Sequence, residues 1–224
     1  MKTVQSKQFE PPTLAVFTLF QTNGRGQGNH LWISEPGKNL AFTIAIPLGI
    51  RTDLVLVNKS LTYTVCQFIQ SFLKEEVVIK WPNDIYCLNK KIAGLLFQVQ
   101  SIENLKYLVL GIGINVEQTN WSAELPNAAS LKDFGASNLN FFNLAESLCS
   151  DLISSIDSTN DVAIHQLFRK KLMNVNQTIR ILHADSNQIS EVHLLDVDKF
   201  GRLQVLTTTG ENLTFHHGQV YIQL

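Results

Sequence analysis

The hydrophobic pattern changes its period several times along the chain, and these changes limit the folds that the chain can adopt. Short, partly β-branched apolar runs at residues 13–20 and 40–46 predict two strands flanking a glycine-rich connection. From Asp53, a candidate N-cap, apolar residues recur at helical spacing as far as Leu73. A mixture of both periods is typical of a domain that contains helices and strands.

The pattern after this helix alternates again. It predicts strands at residues 77–81 and 107–116, and between them a turn at 82–84 and a hairpin at 85–99 whose tip is Asn89 and Lys90. Residues 117–129 are rich in Asn, Ser, Thr and Pro and predict a loop of the length found in functional lids or in disorder.

Two amphipathic helices are predicted next, at residues 141–156 and 161–173. After Asn174 the chain consists of short β-rich pieces, which predict five strands near residues 178–183, 189–197, 203–208, 212–216 and 220–224. We therefore expect a domain boundary near residue 175, with a larger domain at 1–175 and a small, barrel-like β domain at 176–224.

Charge and hydropathy exclude several kinds of protein. Apolar residues make up 45% of the 224 residues and charged residues 17%, which argues against a disordered chain. With 18 basic and 19 acidic residues, the net charge of −1 offers no overall field for nucleic acid or anionic lipid. Neither a membrane span nor a signal peptide fits the apolar runs, so a cytoplasmic protein is expected. The three cysteines lack a CxxC pair and suggest neither a disulfide framework nor a zinc site.

Three stretches carry residues suited to chemistry. The first, QTNGRGQGNHLW at residues 21–32, combines three glycines with Arg25, a combination that can bind a phosphate but that also occurs in flexible turns. The second, KWPNDIYCLNKKIAG at 80–94, is expected to bring Lys80, Asp84 and Lys91 together, either as a site or as a solvated ion-pair cluster.

The third stretch is GIGINV at residues 111–116. Two glycines inside an apolar strand indicate close approach by a ligand or by another backbone, and Asn115 would then emerge at the strand end. A bulged strand is the alternative interpretation.

Taken together, the order and spacing of these motifs resemble a biotin protein ligase, that is, a biotin–[acetyl-CoA-carboxylase] ligase, in a short form without a DNA-binding domain. The resemblance also includes SEPGKNL at 34–40 and ELPNAASL at 124–131. It implies a class II synthetase-like catalytic domain, in which helices pack on a mixed β-sheet, followed by a small C-terminal β-barrel.

The resemblance further implies an ATP-dependent, AMP-forming reaction in two steps. Biotin reacts with Mg²⁺-bound ATP to give biotinyl-5′-AMP, and a lysine of a biotin carboxyl carrier protein domain then displaces AMP. No nucleic-acid or membrane partner and no resident metal site are expected, and a homodimer is left open.

The family motifs assign roles to residues of this chain. By resemblance, Lys91 holds the biotin carboxyl, Arg25 binds the adenylate phosphate, and Asp84 orients or deprotonates the acceptor lysine. The residues that the resemblance implies for substrate binding are Gln21, Gly24, Arg25, Gly26, Gln27, Trp32, Lys91, Gly94 and Asn115. Within this set, Trp32 would pack near the adenine, and Asn115 would contact the nucleotide or its metal.

One departure from the family pattern leaves alternatives open. Family members carry a Ser-Thr-Asn element for the biotin ring before the glycine loop, and no such triplet lies among the residues that precede Gln21. The triplet at 158–160 is interpreted as a helix N-cap. A non-catalytic or N-terminally truncated homologue that binds biotin poorly, and a lipoate or octanoate ligase, are the alternative interpretations.

Overall fold

The computed structural model describes residues 12–28, 31–49, 53–102, 105–156 and 161–224. In chain order, the first part of the chain contains β1 (Leu14–Thr18), β2 (Gly24–Arg25), β3 (Leu31–Trp32), β4 (Asn39–Pro47), α1 (Leu54–Gln70), β5 (Val77–Lys80), β6 (Asp84–Cys87), β7 (Lys90–Ile102) and β8 (Leu105–Asn115). The second part contains α2 (Phe141–Ile156), α3 (Asp161–Lys171), β9 (Thr178–His183), β10 (Ile189–Val197), β11 (Leu203–Thr207), β12 (Asn212–Phe215) and β13 (Val220–Gln223).

The larger of the two main sheets has the strand order β1-β4-β8-β7-β6-β5. Its ladders are antiparallel, and isolated parallel bridges join Ile79 to Leu172 and Lys91 to Ala128, so the sheet is mixed as expected. All three helices belong to the same packed unit, since α1 contacts α2, α3 and β5. The predicted fold class, a sheet covered by helices, is confirmed.

Alternation along the strands determines which face of this sheet is buried. On β4 the side chains of Leu40, Phe42 and Ile44 are buried, whereas Ala41 and Thr43 between them are only partly buried. The buried set joins Leu61 and other apolar residues of α1 in one continuous core. Burying a side chain of this size stabilises the fold by about 1.5–3 kcal/mol, so the helices cover one face and leave the other available.

The start of α1 follows the sequence prediction. The side chain of Asp53 accepts a hydrogen bond from the amide of Leu56 at 2.9 Å, which satisfies one of the free amides of the first helical turn. No helix within the described ranges is long and apolar enough to cross a membrane.

The hairpin formed by β6 and β7 differs from its prediction in two details. Its tip is Leu88 and Asn89, both with positive φ, and Lys90 is already the first residue of β7. Asp84 was predicted in a turn, but it begins β6 and pairs with Gly94 and Lys80. The prediction was wrong because a short turn at 81–83 completes the reversal and frees Asp84 for the ladder.

The C-terminal residues form a five-stranded antiparallel sheet with the order β12-β11-β10-β9-β13. Residues 161–224 are all described, and within them β12 and β13 remain the edges of the sheet, so no ladder closes it into a barrel. The domain boundary near residue 175 falls between α3 and β9 and stays a prediction.

Lys59 of α1 joins the helical layer to the C-terminal sheet. Although it carries a charge, its side chain is buried, and its ammonium donates to the carbonyls of Val197 and Asp198 at 2.8 and 2.9 Å. It also lies 2.9 Å from Nδ1 of His165. Burial lowers the pKa of Lys59, while the nearby Asp196, Asp198 and Asp53 oppose that shift. The ammonium of Lys59, which belongs to α1, thus donates hydrogen bonds to carbonyls at the end of β10.

Replacing Lys59 with Met is expected to reduce the free energy of unfolding by about 2 kcal/mol, because buried carbonyls would lose their donor. Denaturant titration of the full chain measures this change. The matched control is Lys74→Met at an exposed lysine, for which a change within about 0.5 kcal/mol is expected. If the two variants are equally stable, Lys59 does not stabilise the contact between the helical layer and the C-terminal sheet.

Candidate active site

The uncovered face of the larger sheet forms the floor of a cavity of about 780 Å³. The β2–β3 hairpin and the turn after β5 form walls on two sides, and the C-terminal strand β13 contributes a third. All three motifs singled out in the sequence contribute to its lining. The cavity therefore combines residues that are far apart in the chain.

Strand register explains why the floor is open. Directly paired residues on successive strands form one row that runs Ala41, Gly113, Gly94, Asp84, Lys80. Paired residues of an antiparallel sheet project to the same face. The two central glycines of the row therefore carry no side chain, and the end of the row at Asp84 and Lys80 carries charged side chains. The glycines of KIAG and GIGINV, apart in the sequence, lie opposite each other.

Trp32 lies on these two glycines. A Cβ added to Gly113 would overlap the indole ring, and one added to Gly94 would lie 3.2 Å from Cζ3 of Trp32. The sequence predicted a backbone or a ligand close to Gly111 and Gly113, but the group that approaches Gly113 is a side chain, and Gly111 has only ordinary contacts. Nε1 of Trp32 is buried without a hydrogen-bond partner among the described residues. An unpaired buried donor is costly, so this N–H remains available to a ligand acceptor.

Lys91 and Asp84 form the tightest ion pair of the site. Nζ of Lys91 lies 2.7 Å from Oδ2 of Asp84, with 32% and 29% of the two side chains exposed. The same ammonium lies 5.9 Å from the Trp32 ring centroid and would be 3.2 Å from a Cβ at Gly94. The predicted grouping of Lys80, Asp84 and Lys91 is confirmed, and all three line the cavity.

The backbone of Lys91 is fixed by a segment whose role the sequence did not reveal. Its amide donates to the carbonyl of Asn127 at 2.6 Å, and its carbonyl accepts from the amide of Ala129 at 3.0 Å. The end of the loop at 117–129 was predicted as a lid or as disorder, but it pairs with β7 instead.

Asn115 supports the same arrangement. It is only 3% exposed, and its side-chain amide donates to the carbonyls of Lys91 and Ala129 at 3.3 and 2.9 Å. The residues that line the cavity do not include it. A direct contact of Asn115 with the nucleotide or its metal stays a prediction, and in this structure its amide holds the strand that carries Lys91.

The glycine loop is connected to the β5–β6 turn. Nε2 of Gln27 donates to Oδ1 of Asn83 at 2.7 Å, and Asn83 is buried. Arg25, Gly26 and Gln27 line the cavity together with Gln21. Gly24 does not line it, because it is buried against the carbonyl of Trp32, its partner in the β2–β3 pair. The loop is therefore a short hairpin held over the sheet.

The charged groups of the cavity are predominantly cationic. Arg25, Lys80 and Lys91 contribute three cations to the lining, against the single carboxylate of Asp84. Burial lowers the pKa of Lys80, and the neighbouring Lys91 adds to this effect while Asp84 opposes it. Such a set of charges favours a ligand that carries several negative charges.

The C-terminal sheet also reaches the cavity, and the sequence did not predict residues there as part of the site. His217, Gly218, Val220, Tyr221 and Ile222 are part of the lining. The spacing of these residues does not reveal this, because only the position of β13 next to the larger sheet brings them there. The Ser-Thr-Asn triplet at 158–160, interpreted as an N-cap, lies outside the described residues.

The described residues contain no group of three or more His, Cys, Asp or Glu side chains that could hold a metal ion. The single carboxylate in the cavity is paired with Lys91. The side chains present therefore do not fit a resident metal ion.

Comparison with known proteins gives these features a context. A family model described as the biotin/lipoate A/B protein ligase family matches residues 2–115. The chain is 25% identical over 236 aligned positions to a human biotin–protein ligase, an alignment that includes 96% of this chain and 32% of that protein. A bifunctional ligase/repressor of Bacillus spizizenii is 34% identical over 122 positions, with 52% of this chain and 35% of that protein covered. The chain thus spans about a third of the length of these curated relatives.

A solved structure with the same fold is the biotin protein ligase of Aquifex aeolicus, determined in complex with biotin and ATP. It superposes with a TM-score of 0.78 at 20% identity, covering 93% of this chain and 88% of that one. A ligase from Leishmania major, solved with biotinyl-5-AMP, gives a TM-score of 0.60 at 23% identity over 91% of this chain. At these identities the likeness establishes the fold.

The contact between the indole of Trp32 and Gly113 can be tested by substitution. Gly113→Ala is expected to displace the indole and to lower the free energy of unfolding by about 1–3 kcal/mol, since a methyl group must enter a packed contact. Acrylamide quenching of tryptophan fluorescence should increase, and the increase should vanish when Trp32→Phe is added.

The control for this variant lies on the same strand. Gly111→Ala would place its Cβ 3.9 Å from Cβ of Leu96, an ordinary contact, and its quenching should equal that of the unaltered protein. If both alanine variants quench alike, the indole does not rest on Gly113.

Proposed function

The chain belongs to the biotin/lipoate A/B protein ligase family, and from this premise we propose that it is a biotin protein ligase that activates biotin with ATP and transfers it to a lysine of a carrier protein domain. The observation that carries the proposal is the meeting of Arg25 and Lys91 in one cavity above a floor of small residues. The names of the relatives, and the biotin and ATP bound by the Aquifex protein, support the choice of substrates.

The first step needs cations because it joins two anions. A carboxylate oxygen of biotin attacks the α-phosphorus of ATP, a new O–P bond forms, and the bond from that phosphorus to pyrophosphate breaks. Two unit charges 4 Å apart interact by about 4 kcal/mol near a protein surface and by about 1 kcal/mol in bulk water. Fixed cations at the cavity therefore offset much of the repulsion that separates the reactants in water.

We assign the Lys91 ammonium to the biotin carboxyl and to the acyl-phosphate oxygens that replace it. Asp84 keeps this ammonium oriented across the β6–β7 pair, at 2.7 Å, and the hydrogen bonds from the loop and Asn115 hold its strand. Since the ammonium is positioned before substrate binds, little reorganisation is needed when negative charge develops on the α-phosphate.

Arg25 is assigned to the phosphate of the adenylate. The guanidinium is exposed on β2, at the rim of the cavity, where its forked donors can reach two phosphate oxygens. The hydrogen bond between Gln27 and Asn83 holds the loop at the β5–β6 turn, so that Arg25 and Lys91 face one substrate.

The floor suits the flat, apolar part of a small substrate. Beside the row of Ala41, Gly113 and Gly94 runs a second paired row of Thr43, Gly111 and Leu96, which is also part of the lining. We assign the aliphatic side chain and the ring carbons of biotin to this second row. Trp32, which lies on Gly94 and Gly113, would pack near the adenine, and its N–H would be available to an acceptor.

Mg²⁺ is proposed only as part of the Mg–ATP substrate. The described residues provide no cluster of metal ligands, and Mg²⁺ is commonly held through nucleotide phosphates with few protein ligands. We therefore derive no step of the reaction from a protein-bound metal.

The partner is proposed to be a biotin carboxyl carrier domain. Its lysine amine attacks the acyl carbon of biotinyl-5′-AMP, a C–N bond forms, and AMP leaves with the electrons of the C–O bond. The identity of the carrier and the formation of a homodimer stay predictions.

The reaction can be measured with the purified full chain, biotin, Mg–ATP and a carrier domain, followed by mass spectrometry of the carrier. Biotinylation of one lysine, with no transfer when lipoate replaces biotin, is the expected result. A carrier that keeps its mass while the added ATP remains intact would contradict the proposal.

Lys91→Ala is expected to slow biotin-dependent exchange of pyrophosphate into ATP by roughly 100- to 1,000-fold, because the developing charge loses a fixed donor. Lys90→Ala is the matched control: Lys90 is the preceding residue, and its ammonium donates to the carbonyl of Pro126, away from the cavity. Its exchange rate should stay within about twofold of the unaltered protein. Equal rates in the two variants would remove Lys91 from the mechanism.

A further inference from the structure

His217 brings an imidazole from the C-terminal sheet to the cavity. It lies in the turn between β12 and β13, where Gly218 has a φ of +87° and the amide of Gln219 donates to the carbonyl of His216 at 3.1 Å. Positive φ is natural for glycine, so the sequence HHGQ forms a tight turn at this point. His217 lines the same cavity as Asp84 and Lys91.

One edge of this imidazole is held in place. Its ring packs edge-on against the indole of Trp81, with the centroids 6.0 Å apart. The indole itself is fixed, because Nε1 of Trp81 donates to the carbonyl of Gly201 at 3.0 Å. The rest of the His217 side chain is exposed to the cavity mouth, so a group that enters from outside can reach it.

The ring nitrogens of His217 are not engaged by the described part of the chain. Two other histidines provide the contrast: Nδ1 of His165 lies 2.9 Å from the ammonium of Lys59, and Nε2 of His183 lies 3.0 Å from the hydroxyl of Ser190. Among the described residues, no such hydrogen bond involves His217. Its contacts therefore leave both nitrogens available for proton transfer.

Burial favours a neutral ring at His217. Burial against Trp81 lowers the pKa of His217, and the charge of Asp84 on β6 partly opposes this shift. The cations that face the same cavity are Arg25 on β2, Lys80 on β5 and Lys91 on β7. A neutral imidazole near pH 7 can accept a proton, whereas the cations cannot and Asp84 is already paired with Lys91.

We propose that His217 is a catalytic residue of the transfer step and accepts the proton that the acceptor amine loses as it attacks the acyl-adenylate. This inference rests on the proposed function. The acceptor ammonium first releases one proton to solvent at the cavity mouth. As the C–N bond forms and the C–O bond to AMP breaks, the second proton moves from the amine to the imidazole, and AMP leaves as its dianion. The imidazolium then returns its proton to water.

The inference predicts that the two half-reactions respond differently to His217→Gln. Adenylate formation, measured by pyrophosphate exchange, should stay within about threefold of the unaltered protein. Transfer from preformed adenylate to the carrier domain, followed by mass spectrometry in a single turnover, should slow by roughly 100-fold or more, since general base catalysis contributes that much.

The neighbouring residue provides the control. His216 is exposed and is not part of the cavity lining, so His216→Gln should leave both half-reactions unchanged. In the unaltered protein and in His216→Gln, transfer should fall more steeply below the pKa of His217 than it does in His217→Gln, because only a neutral imidazole acts as the base.

A second acceptor separates proton transfer from a structural effect. Hydroxylamine is neutral at the assay pH and loses its proton more easily than a lysine amine, so the deficit of His217→Gln should shrink to roughly tenfold or less with this acceptor. Added imidazole should restore carrier transfer to His217→Ala.

Three results would overturn the inference. The first is equal carrier transfer in His217→Gln and His216→Gln. The second is a loss in His217→Gln that is the same with the carrier and with hydroxylamine, together with no rescue of His217→Ala by imidazole. This second result would indicate a structural role. The third is absence of adenylate in the unaltered protein, which would remove the proposed function itself and with it this step.

Discussion

The pairing of Gly94 with Gly113 across β7 and β8 is the constraint on which the candidate site depends. Because neither residue has a side chain, the sheet surface is low at this point, and the indole of Trp32 can lie directly on it. The same row continues to Asp84 on β6, whose carboxylate meets the ammonium of Lys91. A one-residue slip in register would move the glycines and the charges to opposite faces of the sheet.

The candidate site also depends on the docking of the C-terminal sheet against the rest of the chain. Two side chains that precede it in the chain reach it through hydrogen bonds to backbone carbonyls: Lys59 bonds Val197 and Asp198, and Trp81 bonds Gly201. These bonds fix the β10–β11 turn, and β13 of the same sheet lines the cavity. The C-terminal sheet is thus part of the wall of the site, and residues that stabilise its docking also influence where His217 lies.

Much of the architecture could be read from local pattern. The N-cap at Asp53, the helix Phe141–Ile156 and the five C-terminal strands lie where periodicity and turn residues predicted them. The predictions failed where a chain reversal depended on positive φ angles, as at Leu88 and Asn89. They also failed where a strand forms backbone hydrogen bonds with a segment that is distant in the sequence. The hydrogen bonds between Lys91 and the end of the 117–129 loop had no counterpart in composition, since Asn, Ser and Pro in a loop predict mobility as readily as a fixed contact.

The amino-acid sequence by itself determined which residues are available for chemistry: a guanidinium on a glycine loop, an ammonium and a carboxylate on one hairpin, and two glycines in a buried strand. Local conformational preferences and the order of motifs depend only on residues that are near each other in the sequence, so they can be recognised without coordinates. The tertiary structure alone decided that Trp32 covers the glycines, that Asn115 turns its amide toward the backbone of Lys91, and that His217 lines the cavity. Those contacts depend on strand register and on the docking of one sheet against another, both of which are set by packing over the whole chain.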